Sequence, residues 1–243
     1  MSDTGDPIAG AMADVARQPA AGAPDGVVGT LQRLCKAAAG ALAASGIGVS
    51  VMAEDGARGV AAASDPASER VEELQFVLGE GPCIDAFATR RPVLVPDLTD
   101  GASQRWPAYT PAAHAEGVRA VFAFPLQVGA ARLGVLDVFR ARAGPLSGAE
   151  LRQAFAFTDL AVRILLDGQD DAMPGATADG FDEAIEHSAE LFQAQGMVMV
   201  QLGVPLAEAL VRIRAHTYAE NRRLDDVARD IVARRLHFDP DHS

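Results

Sequence analysis

The amino-acid sequence predicts an α+β chain: an antiparallel sheet flanked by helices, followed by an all-α bundle of three short helices. Three observations lead there. Between Val27 and Leu166 the apolar period switches repeatedly between two and three-to-four residues, which is what strands alternating with helices produce. A polar stretch without periodicity, Asp167 to Gly180 (DGQDDAMPGATADG), interrupts that pattern, as a linker does. Beyond it only the helical period remains. The expected division is a disordered tail over 1–25, a sheet domain over 26–166, a linker over 167–180 and a three-helix domain over 181–238.

Each element follows from its local pattern. Val27 to Ala44 places Leu31, Leu34, Ala38 and Leu42 on one stripe, an amphipathic helix that Gly46 stops. Ile47, Val49 and Val51 alternate, Asp55-Gly56 supplies a hairpin turn, and Gly59 to Ala63 returns as a second strand. Ser68 to Phe76 is a helix with Glu69, Glu72 and Glu73 in its first turns. Leu94 to Pro96 and Ala120 to Phe124 are short apolar strands, and Gly129-Ala130 turns the chain into Leu133 to Phe139, the expected sheet centre. Ser147-Gly148-Ala149-Glu150 is a capping box. It opens a long helix whose stripe runs through Leu151, Phe155, Thr158, Val162 and Leu165, expected to share a sheet face with the first helix. In the last domain, Phe181 to Gly203 keeps helical spacing through Ile185, Ala189, Phe192, Gly196, Met199 and Leu202. Gly203 caps it, and Pro205 opens a second helix that buries Leu206, Ala209, Leu210, Ile213 and Thr217. A third helix, with Asp225 and Asp226 in its first turn, buries Leu224, Val227, Ala228 and Ile231.

Composition sets the outer limits. The chain has 243 residues, 49% of them apolar, enough for a packed core. Asp3 and Asp6, with no basic segment ahead of an apolar run, argue against a secretion signal. The longest uncharged stretch, Ala37 to Ala53, is broken by Ser45-Gly46-Ile47-Gly48 and is too short to span a bilayer. A cytoplasmic location without membrane contact is expected. Cys35 and Cys83, the only two cysteines, come with no CxxC pair or Cys/His cluster, which speaks against a disulfide framework and a structural zinc site. His114 is the lone histidine of the sheet domain, so haem ligation is not expected, nor any other metal or cofactor.

Charge is distributed unevenly. Residues 205–238 hold seven Arg against five acids, whereas the 204 residues before them carry 14 basic and 26 acidic side chains. A weakly basic module on an acidic protein is a candidate contact for a polyanion, or a solvated helix face.

The C-terminal residues carry a family likeness. Residues 182–236 resemble an ANTAR domain, the three-helix RNA-binding module of bacterial transcription antiterminators. The likeness runs through Ala194-Gln195-Gly196-Met197-Val198-Met199, Glu208-Ala209-Leu210, Ile213-Arg214, Asn221-Arg222-Arg223-Leu224 and Asp226-Val227-Ala228. Residues 27–166 resemble a GAF domain of the kind joined to ANTAR in actinobacteria. Here the matching segments are Gly79-Glu80-Gly81-Pro82-Cys83, Asp97-Leu98, Arg105-Trp106-Pro107, Gly117-Val118-Arg119, Phe124-Pro125-Leu126 and Leu133-Gly134-Val135-Leu136. One position departs: a Lys commonly precedes the Gly of the first ANTAR helix, and here it is Gln195.

The resemblance implies a regulator that binds two-hairpin leader RNA and, by holding one of two competing transcript folds, prevents a terminator hairpin. On that reading Arg214, Arg222 and Arg223 contact phosphates, with Arg212 and His216 as weaker candidates four residues apart on one helix face. Gln195 and Asn221 hydrogen-bond base edges, and Gly196 admits RNA or a neighbouring helix. The plainer alternatives are a packing notch at Gly196, a cap at Asn221 and a solvated Arg212, while Met197, Val198 and Met199 belong to the core. A GAF fold offers a small-molecule cleft on one sheet face; the candidates are the Gly79-to-Ala88 loop with Cys83, Trp106, Phe122, Phe124 and Asp137. Cys83 at a helix start is alternatively a redox-sensing thiolate. Two rivals stand beside this reading: a cysteine-dependent enzyme like the GAF-fold free methionine sulfoxide reductases, and a signalling module without RNA binding. Two hairpins require two bundles, so a homodimer is expected, with the Val27–Ala44 and Ala149–Leu166 helices as its face.

Overall fold

The computed structural model describes residues 7–19, 26–52, 58–167, 189–220 and 222–239. Helices α1 (Pro7–Ala16) and α2 (Gly26–Ala41) come first, and α2 buries Leu31, Leu34 and Ala38 as their spacing requires. The segment expected to be a disordered tail thus carries a helix. Ile8, Ala11 and Val15 recur at three and four residues, and this stripe packs on α2 and on α7 (Gly148–Asp167) with Ala11 buried.

Strands β1 (Gly46–Met52), β2 (Arg58–Ala63), β3 (Val93–Val95), β4 (Ala120–Val128) and β5 (Ala131–Arg140) form one antiparallel sheet in the order β2-β1-β5-β4-β3. β5 pairs with both β1 and β4, so the sheet centre is where the sequence placed it. The β4–β5 ladder continues to Val128 opposite Ala131, beyond the expected strand ends, because Gly129 takes the positive φ of 56° that a tight turn needs. The Asp55-Gly56 turn lies outside the described residues.

Side-chain alternation gives the two sheet faces different chemistry. Ile47, Val49, Val51, Phe122, Phe124, Leu126, Leu136 and Val138 meet α1, α2 and α7 in one core. Met52, Val121, Ala123, Val135 and Phe139 face the other way. There they meet α3 (Pro66–Leu78), α4 (Pro82–Thr89), α5 (Ala102–Arg105) and α6 (Tyr109–Ala115). Most of the expected Gly79-to-Ala88 loop is therefore helical.

The capping box of α7 forms: Ser147 N–H donates to Glu150 Oε2 at 2.7 Å, and Glu150 N–H to Ser147 Oγ at 3.2 Å. Its buried stripe is Ala154, Phe157, Thr158, Ala161 and Leu165, not the expected one; Leu151 and Val162 are half-buried and Phe155 is 42% exposed. Small residues hold the seam because α2 and α7 lie side by side on the sheet. Apart from Asp167 at the end of α7, the expected linker lies outside the described residues.

Helices α8 (Ala189–Leu202), α9 (Leu206–Ala219) and α10 (Leu224–Val232) make the C-terminal bundle. Gly203, at φ 66°, ends α8, and Pro205 stands at the N-cap of α9. Ala209, Leu210, Ile213 and Thr217 of α9 and Leu224, Val227, Ala228 and Ile231 of α10 are buried as the spacing required. The seam of α8 is turned: Leu191, Ala194, Gln195 and Val198 are buried, while Gly196, Met199 and Leu202 are half-buried. Ile185 of the expected stripe lies outside the described residues. The bundle packs on α3 through α9, and its core is continuous with the α3 side of the sheet. None of the described helices is long and apolar enough to cross a membrane.

Candidate functional site

Both ends of α3 are fixed by the local sequence. Asp65 caps its start, accepting from Ala67 N–H at 2.9 Å and Ser68 N–H at 3.0 Å. Gly79, at φ 73°, ends it in the left-handed conformation. That placement lays Glu72 and Gln75 over β1 and β5. Glu72 Oε1 accepts from the Ser50 hydroxyl at 2.5 Å, and Oε2 from Gln75 Nε2 at 3.3 Å. The same Gln75 amide donates to Asp137 Oδ2 at 2.9 Å, while its Oε1 accepts from Cys83 N–H at 2.7 Å. Two glycines make the room: a Cβ on Gly48 would stand 2.9 Å from Glu72 Oε2, and one on Gly81 2.5 Å from Gln75 Oε1.

The result is a fully buried acidic cluster. Glu72, Cys83 and Asp137 each offer one atom, all within 4.8 Å of one another. Met52 Sδ lies 3.9 Å from Cys83 Sγ, and the buried hydroxyl of Tyr109 has no hydrogen-bond partner among the described residues. Burial pushes the Asp137 carboxyl well above the usual range, and neighbouring Glu72 adds to this; burial raises Glu72 as well. Burial, then Asp137 and Glu72, push the Cys83 thiol well up. The redox-sensing thiolate expected at the start of α4 is therefore opposed, since buried thiols beside acids stay protonated. Cys35 lies in the opposite core, where burial raises its thiol too.

Of the pocket residues chosen from sequence, Cys83, Trp106 and Asp137 share one side of the sheet. Trp106 is buried, and its Nε1–H donates to Asp85 Oδ2 at 3.1 Å beneath Arg105, 4.7 Å from the ring centre. Phe122 and Phe124 are corrected: alternation along β4 sends them to the α2–α7 face and leaves Val121 and Ala123 on the cluster side. Glu72, Gln75 and Tyr109 were missed. The available signal was the three-residue step from Glu72 to Gln75, which stacks both on one face of α3.

In the bundle, the arginines divide. Arg223 reaches across to α3: its Nη2 donates to Glu73 Oε1 at 2.5 Å and Glu69 Oε1 at 3.1 Å, and its Nε to Glu73 Oε2 at 3.3 Å. This is charge-assisted, two-pronged bonding. Arg214 is half-buried, with Nη1 2.7 Å from where a Cβ on Gly79 would stand, so it too faces the sheet domain. Arg222 pairs within the bundle, with Asp230 at 2.5 Å. Arg212 is exposed, 3.4 Å from Glu208, and His216 meets Phe238 edge-on at 5.5 Å. Arg212 and His216 line a groove of about 730 Å³ together with His237 and Phe238. The last two were missed, although an aromatic pair directly after Arg234-Arg235-Leu236 was a visible signal.

Two bundle candidates are revised. Gln195 is 2% exposed and donates from Nε2 to the Leu206 carbonyl at 2.8 Å, so it presents no amide to a base. Among the described residues no atom lies within 4 Å of a Cβ built on Gly196, which speaks against a helix-packing notch there; Gly196 is half-buried. Asn221 lies outside the described residues. A second groove, of about 850 Å³, opens between the domains, lined by Arg70, Glu73, Leu74, Tyr218, Arg222 and Arg223.

These features define a GAF-type sheet domain joined to a helical bundle. Residues 26–166 match the family model described as GAF domain and residues 180–232 the one described as ANTAR domain; the chain belongs to the GAF domain family and carries an ANTAR domain after it. The GAF domain from an Acinetobacter phosphoenolpyruvate-protein phosphotransferase superposes with a TM-score of 0.51 at 12% identity, over 70% of this chain and 98% of that one. The GAF domain from a phosphoenolpyruvate-protein phosphotransferase of Coxiella burnetii gives 0.48 at 18%, over 75% and 95%. A type II free methionine-R-sulfoxide reductase from Thermoplasma acidophilum gives 0.44 at 17%, over 57% and 91%. No curated protein matches the chain.

Proposed function

We propose that this chain is an RNA-binding transcription antitermination regulator, in which the GAF domain senses a signal and the ANTAR domain binds paired RNA hairpins of a leader transcript in the cytoplasm. The observation that carries the reading is the ANTAR match over residues 180–232, on a bundle bearing seven arginines between 205 and 238. Hairpin loops display unstacked bases and converging phosphates. The groove of Arg212, His216, His237 and Phe238 pairs a cation with stacking faces. Arg214, Arg222 and Arg223 supply phosphate contacts once the bundle leaves α3, because Glu69 and Glu73 now hold the Arg223 guanidinium that a phosphate would take. Two bundles in a homodimer serve two hairpins, and such linkage raises avidity by roughly 100 to 10,000 fold where the geometry allows.

Titration of the full chain with a two-hairpin RNA across salt concentrations tests the reading. The log–log slope falls by roughly 0.7 for each phosphate contact removed from a single-stranded segment. Replacing Arg214, Arg222 and Arg223 by Ala should weaken binding and flatten that slope while circular dichroism stays helical. Unchanged binding rules out this surface, and no RNA binding by the wild type favours the signalling module. The sulfoxide-reductase reading needs a resolving thiol that reaches the attacking one. Cys35 and Cys83 are buried on opposite faces of the sheet, which disfavours it.

A further inference from the structure

Glu72, Cys83 and Asp137 come from α3, α4 and β5, so no sequence spacing announces them together. Their environment is unusual for acids. Among the described residues no cation acts on either carboxyl, and both are fully buried. Burial favours the protonated form of both, and a buried carboxylate that does ionise is paired or binds a metal. Their partners are uncharged donors and one another: Glu72 and Asp137 act on each other, and Cys83 acts on both. Ser50 and Gln75 each donate to a carboxylate and fix its direction, as outer hydrogen-bond partners orient metal ligands. Among the described residues Asp137 Oδ1 has no hydrogen-bond partner, and independently neither has the Tyr109 hydroxyl, fully buried from α6 with Asp137, Glu72 and Cys83 as the charges acting on it.

We propose that Glu72, Cys83 and Asp137 form a binding site for one zinc-type divalent cation inside the GAF domain. A thiolate with two carboxylates suits zinc, a borderline ion that takes sulfur and oxygen ligands together. Donor atoms within 4.8 Å of one another need only a small contraction to surround a tetrahedral ion with bonds of about 2.0 to 2.3 Å. On binding, the Cys83 thiol and any protonated carboxyl release their protons to solvent, and the ion cancels two of the three resulting charges. Three protein ligands leave a fourth position, and the unpartnered Tyr109 hydroxyl is available to it. The site does not depend on RNA binding.

Cobalt(II) is the probe, added to the chelator-treated full chain. The expected result is one bound equivalent, a thiolate-to-cobalt charge-transfer band, displacement by zinc, and a rise in the thermal midpoint on saturation with zinc. Cys83→Ser abolishes the band, and Asp137→Asn weakens binding at least tenfold. Because the chain has only two cysteines, Cys35→Ala must keep the band, which assigns the sulfur even if the Cys83 variant fails to fold. A folded wild type that gives no thiolate band, or a band lost in Cys35→Ala and kept in Cys83→Ser, overturns the proposal.

Discussion

Gln195 was read as facing a base and Glu72 was given no inward role, and both are buried. In each case the deciding partner lies elsewhere in the chain: Leu206, 11 residues from Gln195, and for the Glu72 cluster the Gln75–Asp137 bond spanning 62 residues. Residue type alone does not tell inward from outward when a polar group can be satisfied inside. Gln195→Ala removes the donor to the Leu206 carbonyl and should cost about 1 to 2 kcal/mol. The salt slope of RNA binding should not change, since the amide never reached the RNA; thermal unfolding beside the titration checks both halves. Glu150 is an opposite case, legible from Ser147-Gly148-Ala149-Glu150 because its leading partner, Ser147, is three residues away. The Ser147 backbone N–H, then its hydroxyl, then Arg140 hold the Glu150 carboxyl down to about 2. A carboxylate depressed in the folded state stabilises fully above its unfolded value of about 4.3 and loses that contribution as pH falls toward about 2. Glu150→Gln should therefore flatten the acid limb of a stability–pH profile below about pH 4 and lower stability at neutral pH.

Among elements, the strands were read with the right faces wherever alternation was unbroken, as in Ile47-Val49-Val51, and wrongly where both neighbours were apolar. Val121 to Phe124 are apolar throughout, so nothing in β4 says which two face the cluster; the register against β5 decides it. Helix α7 shows the same ambiguity, because alternative stripes share Thr158 and Leu165 and only packing on α2 selects Ala154 and Ala161. This selection leaves Phe155 exposed at 42% with Met12 of α1 exposed at 52%. Because α1 packs on both α2 and α7, a dimer that uses the expected α2 and α7 helices would present α1 as well. Light scattering of the full chain should report a homodimer, and Phe155→Asp should weaken dimerisation and two-hairpin RNA binding together. The Phe155 ring also meets Phe124 edge-on at 5.4 Å, so the thermal midpoint is read alongside. A folded monomer that binds two-hairpin RNA as tightly as the wild type would sink the dimer.

For the whole molecule, the expected homodimer offers one route from sensor to RNA, a change in how two bundles are placed. The structure supplies a second, because α3 belongs to both systems. One of its faces carries Glu72 and Gln75 into the buried cluster, and the next carries Glu69 and Glu73 to Arg223. An event that shifts Glu72 therefore moves the same rigid helix that grips the bundle. Glu73 is 7% exposed, whereas the side chain of Arg223 is 42% exposed, so the pair is shielded from salt on one side only. If RNA takes Arg223 as proposed, docking and RNA binding compete for it, and the apparent RNA affinity follows the fraction of undocked bundles. Glu69→Gln with Glu73→Gln keeps the shapes and removes the charges, so RNA should bind about tenfold more tightly, equivalent to about 1.4 kcal/mol. The salt slope should steepen as Arg223 joins the phosphate contacts. Adding Arg223→Ala to that double variant should cancel the gain. An RNA affinity that the double variant leaves unchanged, in a chain that still folds, would show that the α3 contact does not restrain the bundle.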